Sequence, residues 1–257
     1  MNFILWTLVI SLGINLLMFV PAFIYKTDKL TDISYALTFI VVAVAGFARS
    51  NHTLIQLVTF LMVLIWACRL GSFLFMRINR MKRDKRFDGM RERFFAFLQF
   101  WILQGMTVFV VMLSATYAWK QNTTVITAIS VLGLVVFLAG LFIEAKADSQ
   151  KFDFCGKPAN KGKWIDVGVW RWSRHPNYLG EMMVWIGMYM YVVSSLHGNE
   201  RLWALLSPLY IVLLLLFVSG IPLLEKSADK KWGSDKAFQK YKREVPVLIP
   251  SLKSIKR

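Results

Sequence analysis

The chain has 257 residues, of which 56% are hydrophobic, and its mean hydropathy is +0.50. A water-soluble domain of this length needs more polar surface than this composition supplies, so the composition excludes that class. The net charge of +16 would suit a nucleic-acid-binding protein, but the distribution of the charge along the chain excludes nucleic acid as the partner.

Seven apolar segments approach or reach the length of about 20 residues that spans a bilayer as a helix. In chain order they cover residues 3–25, 34–49, 54–76, 94–118, 124–143, 179–197 and 203–224. The sequence therefore predicts an all-α, polytopic membrane bundle of about seven transmembrane helices, which forms a single domain over residues 1–257.

The connections between these segments alternate in charge. Most of the 31 lysines and arginines follow the first, third, fifth and seventh segments, whereas the other connections hold only Arg49, Lys120 and Arg201. The positive-inside rule then places the N-terminus outside and the C-terminus in the cytosol. The basic loops would meet anionic lipid headgroups or an anionic ligand, which explains the charge without nucleic acid.

Three polar positions in the second and third segments are candidate substrate contacts. Asp32 and Tyr35 open the second segment, where Asp32 could equally be an ordinary N-cap residue. Arg69 lies inside the third segment, where it either snorkels to the interface or pairs with a carboxylate or a bound ligand. The sequence leaves these alternatives open.

Four carboxylates lie where segments five to seven meet the cytosol. Glu144 and Asp148 end the fifth segment and share one helix face because they are four residues apart. Glu181 opens the sixth segment and Glu225 closes the seventh. These groups either terminate helices and pair with loop cations, or belong to one site. Ionisable groups at membrane depth favour the site.

The densest polar segment is Ser173–Glu181, which directly precedes an apolar run. Asn177 and Tyr178 offer hydrogen-bonding groups and an aromatic plane just before a helix begins. A helix start attracts anions, and arginine side chains suit phosphate. With Arg171 and Arg174 beside it, this segment is a candidate pyrophosphate or carboxylate site.

Histidine and cysteine are sparse. His175 is either a general acid, a phosphate or ribose contact, or a structural histidine bonded to the backbone. His52 and His197 fall on the opposite side of the membrane, so no metal site is predicted. Cys68 and Cys155 have no metal-binding spacing and are expected to be free thiols.

The end of the chain has two parts. Residues 227–242 predict an interfacial helix whose aromatic residues, Tyr241 among them, anchor it at the membrane surface. Pro246 and Pro250 then forbid a continued helix and predict an extended segment that folds back on the bundle.

The run Arg174–Glu181 resembles the signature of the steroid 5-alpha-reductase C-terminal domain superfamily, and looks most like its group of uncharacterised bacterial membrane proteins. The resemblance extends to residues 144–151, to residues 219–225, and to Tyr241 with residues 246–250. Isoprenylcysteine carboxyl methyltransferases carry a similar Arg-His-Pro-x-Tyr core, and sterol-ring reductases carry a similar motif and tail.

This resemblance implies a seven-helix bundle that binds NADPH, with residues 124–257 as the cofactor-binding region and residues 1–118 on the substrate side. The cofactor-binding asparagine and glutamate of the motif correspond to Asn177 and Glu181. Glu225 departs from the basic positions that hold phosphate, so NADH is an alternative cofactor. The expected cofactor contacts are Glu144, Asp148, Lys151, Arg171, Arg174, His175, Asn177, Glu181, Glu225 and Tyr241.

The resulting hypothesis is an integral-membrane oxidoreductase of a bacterial inner membrane, with its active face in the cytosol. Hydride would pass from NADPH or NADH to an activated C=C bond of a lipophilic substrate, such as a steroid-like molecule, an isoprenoid or a lipid. Tyr178 and His175 are the catalytic candidates. The alternatives are an S-adenosylmethionine-dependent methyltransferase acting on a lipid or isoprenoid, and a non-enzymatic lipid-binding membrane protein.

Overall fold

The fold, seen in a computed structural model that describes residues 2–81 and 87–255, is all-α, with no strand in these two ranges. Four cations of the predicted basic loop, Lys82, Arg83, Lys85 and Arg86, and the tail residues Lys256 and Arg257 lie outside the described residues. The helices are α1 (Phe3–Ile24), α2 (Lys29–Ala48), α3 (Leu54–Met81), α4 (Phe94–Val111), α5 (Leu113–Lys120), α6 (Ala128–Gly156), α7 (Pro176–Val192), α8 (Glu200–Leu213), α9 (Ile221–Trp232), α10 (Lys236–Glu244) and α11 (Leu252–Ile255).

Among the described residues, six helical stretches are long and apolar enough to cross a membrane, which confirms the predicted class of polytopic helical membrane protein. They are Phe3–Ile24, Lys29–Ala48, Leu54–Arg80, Phe94–Val111, Ala128–Gly156 and Glu200–Trp232. Helix α7 covers most of the predicted sixth segment, but with 17 residues it is shorter than any of these six stretches. The count of seven and the orientation in the membrane stay predictions.

Helix α6 extends well beyond its predicted segment. α6 continues thirteen residues beyond position 143, to Gly156, because Ala145, Lys146 and Ala147 are strong helix formers although the segment is no longer apolar. Glu144 and Asp148 therefore lie inside a helix rather than at its end.

The predicted segment 203–224 is interrupted near its end. After α8 the chain forms a widened π turn over Leu214–Val218, and α9 begins with Pro222 in its first turn. A side chain on Gly220 would collide with the carbonyl oxygen of Leu215, so this sharp break requires glycine. Glu225 consequently stands near the start of a new helix instead of closing the preceding one.

The chain packs as two units. The first comprises Met1–Gly133 and Met188–Ser207, and the second comprises Leu134–Gly187 and Pro208–Arg257. In the first unit, α1 packs on α2, α4 and α5, and α2 also packs on α3. The predicted division into residues 1–118 and 124–257 stays a prediction.

The first unit buries a network of neutral polar side chains. Gln104 Nε2 donates to Asn15 Oδ1 at 2.8 Å and to Ser34 Oγ at 3.0 Å, and Asn15 Nδ2 donates to Thr38 Oγ1 at 3.2 Å. Three helices, α1, α2 and α4, are thus joined by hydrogen bonds within an apolar interior, where such bonds hold helices together.

The first unit also buries a loop cation. The Arg91 side chain, only 6% exposed, bonds Asp28 at 3.0 Å and Asp88 at 3.2 Å. Arg91 lies in the basic connection after the third segment, for which contact with lipid or an anionic ligand was predicted, but its side chain is buried in an ion cluster.

In the second unit the end of the chain forms two short helices and a strap. The aromatic residues expected as membrane anchors belong to a packed cluster, in which Phe238 and Tyr241 are buried against Trp164 and Trp232. The prediction that Tyr241 anchors an interfacial helix at the membrane surface is therefore wrong, because Tyr241 and Phe238 are buried inside the protein. The extended segment after Pro246 does fold back, because the Pro246 carbonyl accepts a hydrogen bond from the Arg174 N–H at 3.0 Å.

Candidate functional site

The polar motif at the start of α7 is shaped by Ser173 and Pro176. The Ser173 hydroxyl accepts the N–H of His175 at 3.2 Å and donates to the Val247 carbonyl at 3.3 Å. Pro176 then opens α7, a position where its missing N–H costs nothing. Arg174 and His175 are thereby fixed immediately before the helix.

The carboxylate of Glu225 gathers the basic groups around this motif. Oε1 lies 2.8 Å from His175 Nε2, while Oε2 lies 3.2 Å from Arg174 Nη2 and 3.3 Å from Lys242 Nζ. An ionised carboxylate only accepts hydrogen bonds, so Nε2 of His175 carries a proton in this contact. One carboxylate on α9 therefore connects the start of α7 with α10.

Two polar atoms in the motif are buried and have no hydrogen-bond partner: Asn177 Oδ1, an acceptor, and Arg174 Nε, a donor. A buried polar atom without a partner costs about 1–3 kcal/mol. Such atoms favour a bound molecule that supplies both a donor and an acceptor.

The two catalytic candidates are in contact. The rings of His175 and Tyr178 stack at 5.8 Å between centroids with an interplanar angle of 12°. His175 is buried, with 6% of its surface exposed, and Tyr178 is half-buried. Glu225 orients the imidazole, and the imidazole in turn supports the phenol ring.

The motif packs on α6 through two glycines. A Cβ placed on Gly180 would lie 2.6 Å from the Gly140 carbonyl oxygen and 2.7 Å from Glu144 Cβ. The helices therefore touch backbone to backbone, and this brings buried Glu144 against the turn that carries Glu181. Asp148, one turn further along α6, is also buried.

Three other predicted cofactor contacts lie around Trp170 or next to it in sequence. Lys151 Nζ stands 4.8 Å above the Trp170 ring, and the buried Tyr241 hydroxyl donates to the Trp170 carbonyl at 3.0 Å. Arg171 ends the short 3₁₀ helix Gly168–Arg171 and is exposed. Lys151 and Tyr241 thus have structural contacts in this region, and Arg171 lies at its solvent-exposed side.

The candidate substrate residues belong to the first unit. Arg77 Nη2 donates to Asp32 Oδ2 at 3.0 Å, and Tyr35 packs edge-on against Phe39 at 5.1 Å. Arg69 is half-buried on α3. Since α2 begins at Lys29 with Asp28 as its N-cap, Asp32 lies inside the first turn and is not the N-cap residue.

Sequence reasoning missed two residues of the cluster, Lys242 and Ser173. Lys242 was one of many cations in the tail, and only the turn between α9 and α10 brings it to Glu225. Ser173 was inside the motif, but its bond to Val247 depends on a contact between segments far apart in sequence.

Comparison with known proteins adds one family and one relative. A family model described as a protein of unknown function, DUF1295, matches residues 18–245. An uncharacterized protein of Schizosaccharomyces pombe is 25% identical over 128 residues, which cover 42% of this chain and 36% of the relative. The chain therefore spans about a third of the length of that relative. No solved structure matches the chain.

Proposed function

The chain belongs to the DUF1295 family, and from that premise we propose that it is an integral-membrane oxidoreductase that uses NADPH or NADH to reduce an activated C=C bond in a lipophilic substrate. The family is a steroid 5-alpha-reductase-like group. The motif Arg174–Glu181 and the membrane-type helical fold support placing the chain in that superfamily.

The buried, unpaired Oδ1 of Asn177 is the observation that carries the proposal. A carboxamide or a ribose hydroxyl, both present in nicotinamide nucleotides, would donate to this atom, and the same groups would accept from Arg174 Nε. The acceptor on Asn177 and the donor on Arg174 therefore support binding of the nicotinamide–ribose part of the cofactor.

The fit to phosphate is weaker, because Glu225 already pairs with Arg174 and Lys242. Arg171, which is exposed, is the cation that we assign to the pyrophosphate. The same pairing favours NADH as a real alternative to NADPH, since it leaves less positive charge for an additional phosphate group.

A reduced nicotinamide, when bound, supplies a hydride to the β-carbon of a C=C bond conjugated to a carbonyl, and a proton added at the α-carbon completes the reduction. In this proposal the Tyr178 hydroxyl delivers that proton. His175 acts as a positioning residue, because Glu225 fixes its ring and its ring supports Tyr178.

The test is binding of NADPH and NADH to purified full-length protein by calorimetry and by nucleotide fluorescence. We expect one or both to bind, and Asn177→Ala to weaken binding at least about tenfold, the equivalent of one lost hydrogen bond to a buried group. Asn199→Ala, at an exposed asparagine of the first unit, is the matched control and should leave the affinity unchanged.

Failure of the parent protein to bind either nucleotide would overturn the proposal. Stabilisation by S-adenosylmethionine, with no effect of the nicotinamide nucleotides in the same thermal-shift series, would replace the reductase by a methyltransferase. Where binding is found, loss of nucleotide absorbance at 340 nm on addition of an α,β-unsaturated lipid ketone tests the reaction itself.

A further inference from the structure

The strap at the end of the chain has an inner and an outer edge. Its inner edge is tied to the motif, since the Pro246 carbonyl accepts from the Arg174 N–H, the Val247 carbonyl accepts from Ser173 Oγ, and Ser254 Oγ donates to the Trp172 carbonyl at 2.9 Å. The strap therefore has a fixed position beside residues 172–174.

The outer edge of the strap is apolar and exposed. Ile249 is 73% exposed, Leu252 is 79% exposed and Ile255 is 51% exposed. Leu252 and Ile255 are three residues apart in α11, so they project from one face of its single turn. Single exposed apolar residues are ordinary, but three of them within seven residues form an apolar edge.

The helical turn that carries this edge is closed by a reciprocal cap. The Ser251 N–H donates to Ser254 Oγ at 3.0 Å, and the Ser254 N–H donates to Ser251 Oγ at 3.1 Å. Pro250 directly precedes the cap and limits the backbone before it. The side chains of Leu252 and Ile255 are thus presented by an ordered turn.

The charge of this segment identifies the partner. Residues 246–257 contain three cations, Lys253, Lys256 and Arg257, and no carboxylate, and Lys253 is exposed beside Leu252. A second copy of the chain would bring the same positive charge to the contact, which is unfavourable. Apolar side chains interspersed with lysines are typical of segments that lie at an anionic membrane surface.

We propose that the outer edge of residues 247–255 is a docking surface for the headgroup–acyl boundary of an anionic phospholipid leaflet. The chain is already membrane-embedded, so the strap is held at high effective concentration near the bilayer and a weak intrinsic affinity is enough to keep it seated. Because its inner edge holds residues 172–174, lipid binding also stabilises the start of the motif.

The test measures hydrogen–deuterium exchange of the full chain in nanodiscs that hold one chain each. The discs contain either phosphatidylcholine alone or phosphatidylcholine mixed with phosphatidylglycerol. We expect the backbone amides of residues 248–255 to exchange several-fold more slowly in the anionic discs, with the difference falling as salt is raised.

Two charge reversals complete the test. Lys253→Glu should abolish the difference between the two lipids, whereas Lys236→Glu, at an exposed lysine of α10, should preserve it. Both variants must keep the unfolding temperature of the parent in detergent, which separates a docking defect from a folding defect.

Equal exchange in the two lipids would overturn the proposal, and so would an equal effect of the two charge reversals. Protection that appears only in discs holding two chains would assign the surface to self-association and would also overturn it. Nucleotide affinity is not measured here, so the outcome is independent of the proposed oxidoreductase function.

Discussion

The neutral network of the first unit and the cluster around Glu225 in the second unit both bury polar side chains, but the two clusters differ in charge and in how completely their side chains are paired. In the first unit Asn15, Gln104, Ser34 and Thr38 are neutral, and their hydrogen bonds join α1, α2 and α4. In the second unit the groups around Glu225 are charged, and two buried atoms beside them have no partner.

This difference indicates a structural role for the neutral network and a ligand-binding role for the charged cluster. A neutral network with paired amide groups stabilises helix packing and offers little to a ligand. A charged cluster with an unpaired acceptor and an unpaired donor retains capacity for a further molecule. We therefore expect substitutions in the neutral network to change stability alone, and substitutions around Glu225 to divide into those that change stability and those that change binding.

The largest effect is expected at the glycine contact beneath the charged cluster. Gly180→Ala places a Cβ 2.6 Å from the Gly140 carbonyl oxygen, and backbone on both sides prevents relief. We expect a loss of about 3 kcal/mol, at the upper end for overpacking, measured as the unfolding midpoint in detergent.

Two glycines of the first unit are matched controls for this change. Gly105→Ala meets the Ser11 carbonyl oxygen at 3.0 Å and should cost less, while Gly13 has no neighbouring atom within 4 Å, so Gly13→Ala should be neutral or stabilising because alanine favours helix. Equal stability of Gly180→Ala and Gly13→Ala would show that α6 and α7 are not in close contact.

The next largest effect is expected for Glu225→Ala. Removing this carboxylate leaves Arg174 and His175, both largely buried, without their common partner. Breaking a buried pair costs about 3–5 kcal/mol, and the partial exposure of this cluster reduces our expectation to about 2 kcal/mol.

Lys240→Ala is the control for Glu225→Ala, because Lys240 is exposed and its pair with Glu244, at 3.9 Å, is a long surface contact. Unfolding in detergent should be unchanged in the control. A Glu225→Ala chain as stable as its parent would mean that the three basic groups are individually solvated rather than held by the carboxylate.

A smaller loss is expected in the neutral network. Gln104→Leu removes the donor to Asn15 Oδ1 and Ser34 Oγ, and interhelical hydrogen bonds in membrane proteins contribute about 1 kcal/mol. The unfolding midpoint should fall by this amount, while nucleotide affinity stays at the parent value. A large change in nucleotide affinity would contradict the assignment of a purely structural role to this network.

Hydropathy was sufficient to predict the fold class. Apolar segments of membrane-spanning length correspond to helices in the structure, because in lipid every backbone group must be bonded within the segment. Helix ends were predicted less well. The extension of α6 beyond residue 143 depends on helix propensity rather than on hydropathy, and the break at Gly220 depends on a π turn that has no apolar signature.

The motif itself could be identified from the sequence, because nine residues hold its arginine, histidine, asparagine and glutamate. Its surroundings could not. Lys242 reaches Glu225 only through the turn after α9, and the aromatic residues of α10 meet Trp164, which lies more than 70 residues earlier. Such contacts follow from packing between distant segments, which one sequence does not reveal.

The smallest effect on stability is expected at Asn177, and this change distinguishes the two units most clearly. Its Oδ1 has no partner to lose, so Asn177→Ala should lower the free energy of unfolding by no more than about 0.5 kcal/mol, and the removal of a buried unpaired oxygen acts to raise it. The same change should weaken nucleotide binding, whereas Gln104→Leu should lower stability and leave nucleotide binding unchanged. If Asn177→Ala destabilises the chain as much as Gln104→Leu does, then Oδ1 is paired within the protein. The main argument for a ligand at the start of α7 would then be wrong.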